Sequence, residues 1–345
     1  MPHPTLEDVA ARAGVSRALV SLVMRGSPKV GEERRAAVLA AARELGYRPN
    51  AMARGLAAGR TGIVGVLLAD LHQPLYARIH DGLADEAARR DVRLLLTTGR
   101  GRPALERAAV EDLLDLRLDG LVLAGPRIAA ADLDRAAAGC AITVVGRAVR
   151  SDRVDRVTGD AAAEAAQAVA HLTALGHRRI ACLDLDGRSA SLRRAFLAAM
   201  DGAGPSAHAS VLTVPDALST GPGGLPDALG NALDGGPGGP PGATGPPTAV
   251  LALGDPGGTA ALAALLRAGR RVPEDVSLVV HGDPPGAGAA GVTTVGPDAR
   301  ELGRLAMGAL MDRIRGGVPG GPAQRIGVAP VLTERATTAP PPAGA

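Results

Sequence analysis

The sequence predicts an all-α head of three short helices followed by an α/β unit built from two doubly wound lobes. Three observations carry that expectation. Residues 1–48 hold only short amphipathic stretches. From Thr61 onward, apolar runs of about five to seven residues alternate with amphipathic ones, as buried parallel strands alternate with covering helices. At 345 residues the chain is too long for one ordinary domain.

The head reads element by element. Thr5-Leu6-Glu7-Asp8 is a capping-box start, and Leu6, Val9 and Ala10 then share one helical face. Ala13-Gly14-Val15 turns the chain, with Gly14 supplying a positive φ. Ser16 caps a second helix in which Val20 and Val23 point inward while Arg17, Ala18, Ser21 and Leu22 point outward. A third helix, Glu32–Leu45, starts on two acidic residues and stops at Gly46; its Val38, Leu39 and Leu45 would close the core. Two short helices around a Gly-containing turn are the helix-turn-helix layout, with the second helix facing a DNA major groove. That spacing also allows a generic helical hairpin.

In the larger unit, strands are expected at 63–69, 92–98, 120–125, 141–146, 178–185, 211–214, 248–253 and 276–280. Helices are expected near 76–90, 104–117, 160–175, 188–201, 257–268 and 298–315. The lobes would divide near 150–160, giving a head at 1–48, a hinge at 49–60 and a two-lobed domain at 61–345. Residues 219–247, dense in Gly and Pro, interrupt the rhythm and are expected to be mobile.

Charge separates the same regions. Residues 1–60 carry ten Lys or Arg against five Asp or Glu, and the remainder carries 28 against 30. A basic head on a near-neutral body points to a polyanion at the N-terminus, although a solvated charged surface would read the same way. Aromatic residues number three, Tyr47, Tyr76 and Phe196, so Leu, Val and Ala must fill the interior. Cys140 and Cys182 are the only cysteines; thiols in apolar runs suggest a reducing compartment. No signal-like leader or membrane-length apolar run is seen, and the expected location is the cytoplasm.

The stretch from Thr5 to Leu56, with VAARAGVS, LGYRPN and the Ala53-Arg54-x-Leu56 hinge, closely resembles the head of the lactose/galactose-repressor (LacI/GalR) family. The likeness extends through VPEDVSLVV, GVTTV-x-Pro297 and Glu334-Arg335-Ala336-Thr337. It implies a transcriptional regulator, usually a repressor, that binds a near-palindromic operator as a homodimer or tetramer. Arg17 and Ala18 would read base edges, Ser16, Ser21, Arg25 and Asn50 would hold the DNA backbone, and Thr5 is counted among the DNA-binding residues. Leu22 stands where the family often has Arg, which removes one guanine contact. Asn50 would cap a hinge helix over 51–58, too short to fold without DNA and a partner helix, with Ala53 and Arg54 in it and Leu56 wedging a base step.

For the large domain the resemblance implies a fold like the periplasmic sugar-binding proteins, with a sugar- or nucleoside-like effector between the lobes. Asp70, Gln73 and Tyr76 follow the first strand, where a ligand-touching loop is expected. The family's ligand-binding Arg falls at Leu192, beside Arg193, and its late acidic residue falls on Gly282, beside Asp283; Asp255 stands where the family has Asp. The pocket therefore reads as altered, and common free monosaccharides are expected to bind weakly or not at all. A sensor whose effector site or DNA response has changed is the alternative reading.

Enzyme chemistry has little support. Lys29 is the only lysine, so the large domain has neither a phosphate-loop lysine nor a Schiff-base lysine. No Gly-x-Ser-x-Gly elbow occurs, and His171 and His177 lack nearby cysteines for a metal site. No cofactor is expected.

Overall fold

The computed structural model describes residues 4–47, 60–184, 189–213, 245–253, 257–284, 286–316 and 322–343, with isolated positions 227, 230 and 231. Asn50, Ala53, Arg54 and Leu56 of the expected hinge, Asp255 and nearly all of 219–247 lie outside them. The chain divides into two compact units, Met1–Gly62 and Ile63–Ala345.

In the first unit, α1 (Leu6–Ala13), α2 (Arg17–Met24) and α3 (Glu32–Glu44) enclose Val9, Ala10, Val20, Val23, Val30, Val38, Ala41 and Ala42. The turn after α1 is made by Gly14 at φ 65°, a conformation that costs a side-chain-bearing residue more than glycine. Leu39, expected inside, is 42% exposed. Val38 occupies the inward row with Ala41 and Ala42, and the 100° step to the next residue carries Leu39 off it.

The second unit holds two six-stranded sheets. The first runs in the order β11 (Arg325–Val328), β5 (Asp155–Gly159), β4 (Ala141–Val145), β3 (Gly120–Ala124), β1 (Ile63–Leu68) and β2 (Arg93–Thr98), with every pairing parallel. Its period of two is visible in β1. Val64, Val66 and Leu68 pack beneath α4 (Pro74–Arg89) and α10 (Ala299–Arg315), while Leu67 joins the opposite core with residues of α5 (Pro103–Asp115) and α6 (Ala130–Ala137). The second sheet runs β12 (Pro330–Thr333), β10 (Thr293–Pro297), β9 (Ser277–His281), β8 (Ala249–Leu253), β6 (Arg179–Asp184) and β7 (His208–Thr213), with only β12 antiparallel. Among the described residues, α7 (Ala161–Ala174), α8 (Ala190–Gly202) and α9 (Gly257–Arg267) accompany it.

Two departures matter. A single division near 150–160 does not hold, because the chain crosses between the lobes three times. It leaves the first sheet after β5, returns to it as α10 and β11, and ends in the second as β12. Helix α10 lies so close to α4 that a side chain at Gly82 would overlap the backbone of Arg300, and one at Gly303 the backbone of Ile79. Strand β2 is an uncovered edge, with Leu95 38% and Leu96 41% exposed, although its apolar run reads as buried.

A buried ion pair ties the return segment down. Arg313 Nε on α10 donates to Asp155 Oδ2 on β5 at 2.6 Å, the two side chains being 6% and 0% exposed. Asp155 also accepts the backbone amide of Gln324 at 2.7 Å, and hydrogen bonding to the carboxylate raises the pKa of Arg313 further. Both cysteines are buried and unpaired; burial pushes the Cys140 thiol up to about 11 and that of Cys182 to about 12, leaving both inert as thiolates. No helix among the described residues is long and apolar enough to cross a membrane.

Candidate nucleic-acid interface and inter-lobe cavity

Local caps set the face of α2. Thr5 accepts the amide of Asp8 at 3.3 Å while its own amide and hydroxyl donate to Asp8 Oδ2, each at 2.8 Å. Those bonds hold the Asp8 carboxyl below its ordinary pKa. Ser16 Oγ accepts the amide of Leu19 at 3.3 Å and starts α2. From that start Arg17 and Ala18 project into solvent. Ser21 is half-buried, and Leu22, expected to face outward, packs partly against the head core. Arg25 is exposed, with Nε donating to the Ser21 carbonyl at 3.2 Å, which leaves its outer nitrogens toward solvent. Arg17 Nε lies 2.9 Å from Glu7 Oε1, a contact that the sequence reading did not foresee.

The larger unit encloses a cavity of about 410 Å³ between its lobes. Carboxyl ends of the strands supply much of its wall: Gly125 follows β3, Gly146 follows β4, Thr158 and Gly159 end β5, and His281 ends β9. Among the expected residues, Tyr76 and Asp283 line it. Gly125, at φ 64°, accommodates the Tyr76 hydroxyl, which would overlap any side chain there. Asp70 and Gln73 are not in the wall: Asp70 accepts the amide of His72 at 2.8 Å, and Gln73 precedes α4.

Leu192 and Gly282 both line the cavity, in the places where the sequence reading expected polar ligand contacts. Arg193 does not join them; its Nη1 reaches Asp184 Oδ2, a fully buried carboxylate, at 3.1 Å. Two long-range pairs that single-sequence reading missed complete the wall. Arg78 Nη1 donates to the Asp283 carbonyl at 2.6 Å, across 205 positions. His281 Nε2 lies 2.8 Å from Glu164 Oε2, across 117. Arg335 and Thr294 also donate to Asp283 Oδ1, at 3.1 and 3.2 Å, so that carboxylate is held from several sides. Among the described residues no group of His, Cys, Asp and Glu is arranged to hold a metal ion.

With this geometry in hand, comparisons with known proteins are decisive. The profile of bacterial regulatory proteins of the lacI family matches residues 5–50, and that of the periplasmic binding protein-like domain matches residues 169–338. A LacI transcriptional regulator from a Rhodococcus species is 32% identical, with a TM-score of 0.69 over 81% of this chain and 98% of that one. The chain belongs to the LacI family. Its head is the family's helix-turn-helix and its two sheets form the periplasmic-binding-protein-like domain. The maltose regulon regulatory protein MalI of Escherichia coli is 39% identical over 195 residues, 55% of this chain and 56% of the relative. This chain spans about half the length of the curated relatives it matches. The lac repressor dimer bound to operator and the anti-inducer ONPF shares the fold, at 23% identity and a TM-score of 0.79 over 98% of this chain and 100% of that one. These relatives are transcription regulators and not enzymes.

Proposed function

We propose that this family member is a sequence-specific DNA-binding repressor that acts as a homodimer on a near-palindromic operator and answers to a small molecule in the inter-lobe cavity. The observation that carries the reading is the face of α2. A capped helix start projects Arg17 and Ala18, with Arg25 exposed one helix length further on, from a head that matches the family profile. An α-helix fits a major groove, and a guanidinium is the commonest reader of guanine there. Ser16, Ser21 and Thr5 supply hydroxyls for phosphate contact.

Dimerisation is supported by the edge of the first sheet, where a second copy would cover Leu95 and Leu96. The effector reading rests on a cavity with an apolar wall and a few convergent polar groups. Its test is selection of bound DNA from a random pool by the full chain, with and without candidate sugars and nucleosides. Enrichment of a near-palindromic site that one ligand class weakens is the expected result, and failure to enrich any sequence would end the DNA reading.

A second reading is favoured by one feature of the cavity. With Leu192 and Gly282 in the wall, Arg193 turned to Asp184, and Arg78 bonded to Asp283 and Glu164 to His281, the charged groups of the site are committed to one another before a free monosaccharide arrives. On this reading the site takes an atypical effector or has lost its response. Calorimetry with common monosaccharides should then give no measurable heat, whereas micromolar binding of one of them would restore the ordinary effector reading.

A further inference from the structure

Glu7 and Arg17 form an ion pair between the first turns of α1 and α2, with the two side chains 61% and 67% exposed. The capping box is closed by Asp8, so Glu7 is not needed to start its helix. A pair this exposed adds little to folding, because water solvates both charges nearly as well as they solvate each other. Its geometry is more telling than its energy. Nε is the Arg17 atom nearest the carboxylate, in an ion pair without a directed hydrogen bond. A guanidinium is a rigid plane with five N–H donors, so a carboxylate that draws in its Nε edge turns the Nη1 and Nη2 edge the other way.

With the carboxylate beside Nε, the end-on fork of Nη1 and Nη2 remains, and that fork matches the O6 and N7 acceptors of guanine. Entry into a groove strips water from the pair and strengthens the contact that orients the fork. We propose that Glu7 is a positioning residue that aims the Arg17 guanidinium and so sets the preference for guanine at one base position of the operator. The proposal rests on the reading of Arg17 as a base reader. Glu7 itself touches no base; it acts through Arg17.

The test uses the full chain and its selected DNA site, together with a set in which each base is replaced in turn. Binding is measured for the parent and for Glu7→Gln, Glu7→Ala, Glu7→Asp and Arg17→Ala, with circular dichroism confirming an unchanged head. Glu7→Gln and Glu7→Ala should lower discrimination at the Arg17-dependent position by roughly threefold to tenfold and leave the other positions unaltered. Glu7→Asp, which keeps the charge, should recover part of it. A uniform change across all sequences, with every base ratio intact, would mean that Glu7 only repels phosphate and would overturn the proposal. Failure of the underlying reading looks different: Arg17→Ala itself would then leave every base ratio unchanged.

Discussion

The polar groups of the head and those of the cavity are deployed in opposite ways. On α2, Arg17 and Arg25 keep most of their donors in solvent, and their internal partners are exposed or local. In the cavity wall, Arg78 is bonded to Asp283, Glu164 to His281, and Asp283 is further held by Arg335 and Thr294. A polyanion meeting the head therefore displaces mainly water and counterions. A ligand entering the cavity must compete with bonds already made between protein groups, so the wall selects strongly and gains little from mere polarity.

Beyond the wall, the larger unit carries this committed pairing furthest in one buried ion pair. Asp155→Ala strands Arg313, and the larger unit should lose about 3–5 kcal/mol, the usual cost of an orphaned buried ion. Denaturant titration followed in both units checks this; an effect below about 1 kcal/mol would mean that the pair is dispensable. Next comes base reading. Arg17→Ala should cost ~1–3 kcal/mol on the selected site and relax preference at one position, whereas Arg25→Ala should weaken all DNAs alike. Equal losses on specific and random DNA for Arg17→Ala would remove its role as reader. Smaller still is the cap of α2, where Ser16→Ala should destabilise the head by ~1 kcal/mol and leave the melting of the larger unit unchanged.

The least effect concerns pH. His177 is 1% exposed; its Nε2 donates to the Ala339 carbonyl at 2.8 Å, its ring also meets the hydroxyls of Thr248 and Ser277, and burial pushes its pKa below the ordinary histidine value. Its neutral form is the folded one, so the unfolded chain binds more protons just below about pH 6.5. Stability of the larger unit should therefore fall as pH drops from about 6.5 toward the depressed value, and be fully present above it. His177→Asn should flatten that slope; an identical slope in the variant would assign it to other groups.

Much of the head could be read directly because its devices are local. The Thr5–Asp8 box and the Ser16–Leu19 cap each span three positions, a distance that a sequence motif states outright. Leu39 was misplaced because Val38 competes for the same inward row. In the large unit, strand and helix periods were legible, but a period does not say which sheet an element joins. The return of α10 and β11 to the first lobe thus needed the structure. Five-residue and shorter strands such as β5, β10, β11 and β12 carried too little apolar signal to be singled out. The cavity pairs were invisible for a related reason: no local rule links Arg78 to Asp283 or Glu164 to His281.

The scarcity of aromatic residues has a practical consequence. The chain has no tryptophan, so its ultraviolet emission comes from Tyr47 and Tyr76. One packs against the head core and the other lines the cavity with its hydroxyl over Gly125. The protein thus carries one intrinsic fluorophore in each of its two units. Replacing Tyr47 by Phe would leave an emission that reports cavity occupancy alone, and replacing Tyr76 one that follows the head alone, so both events can be watched in the unlabelled chain.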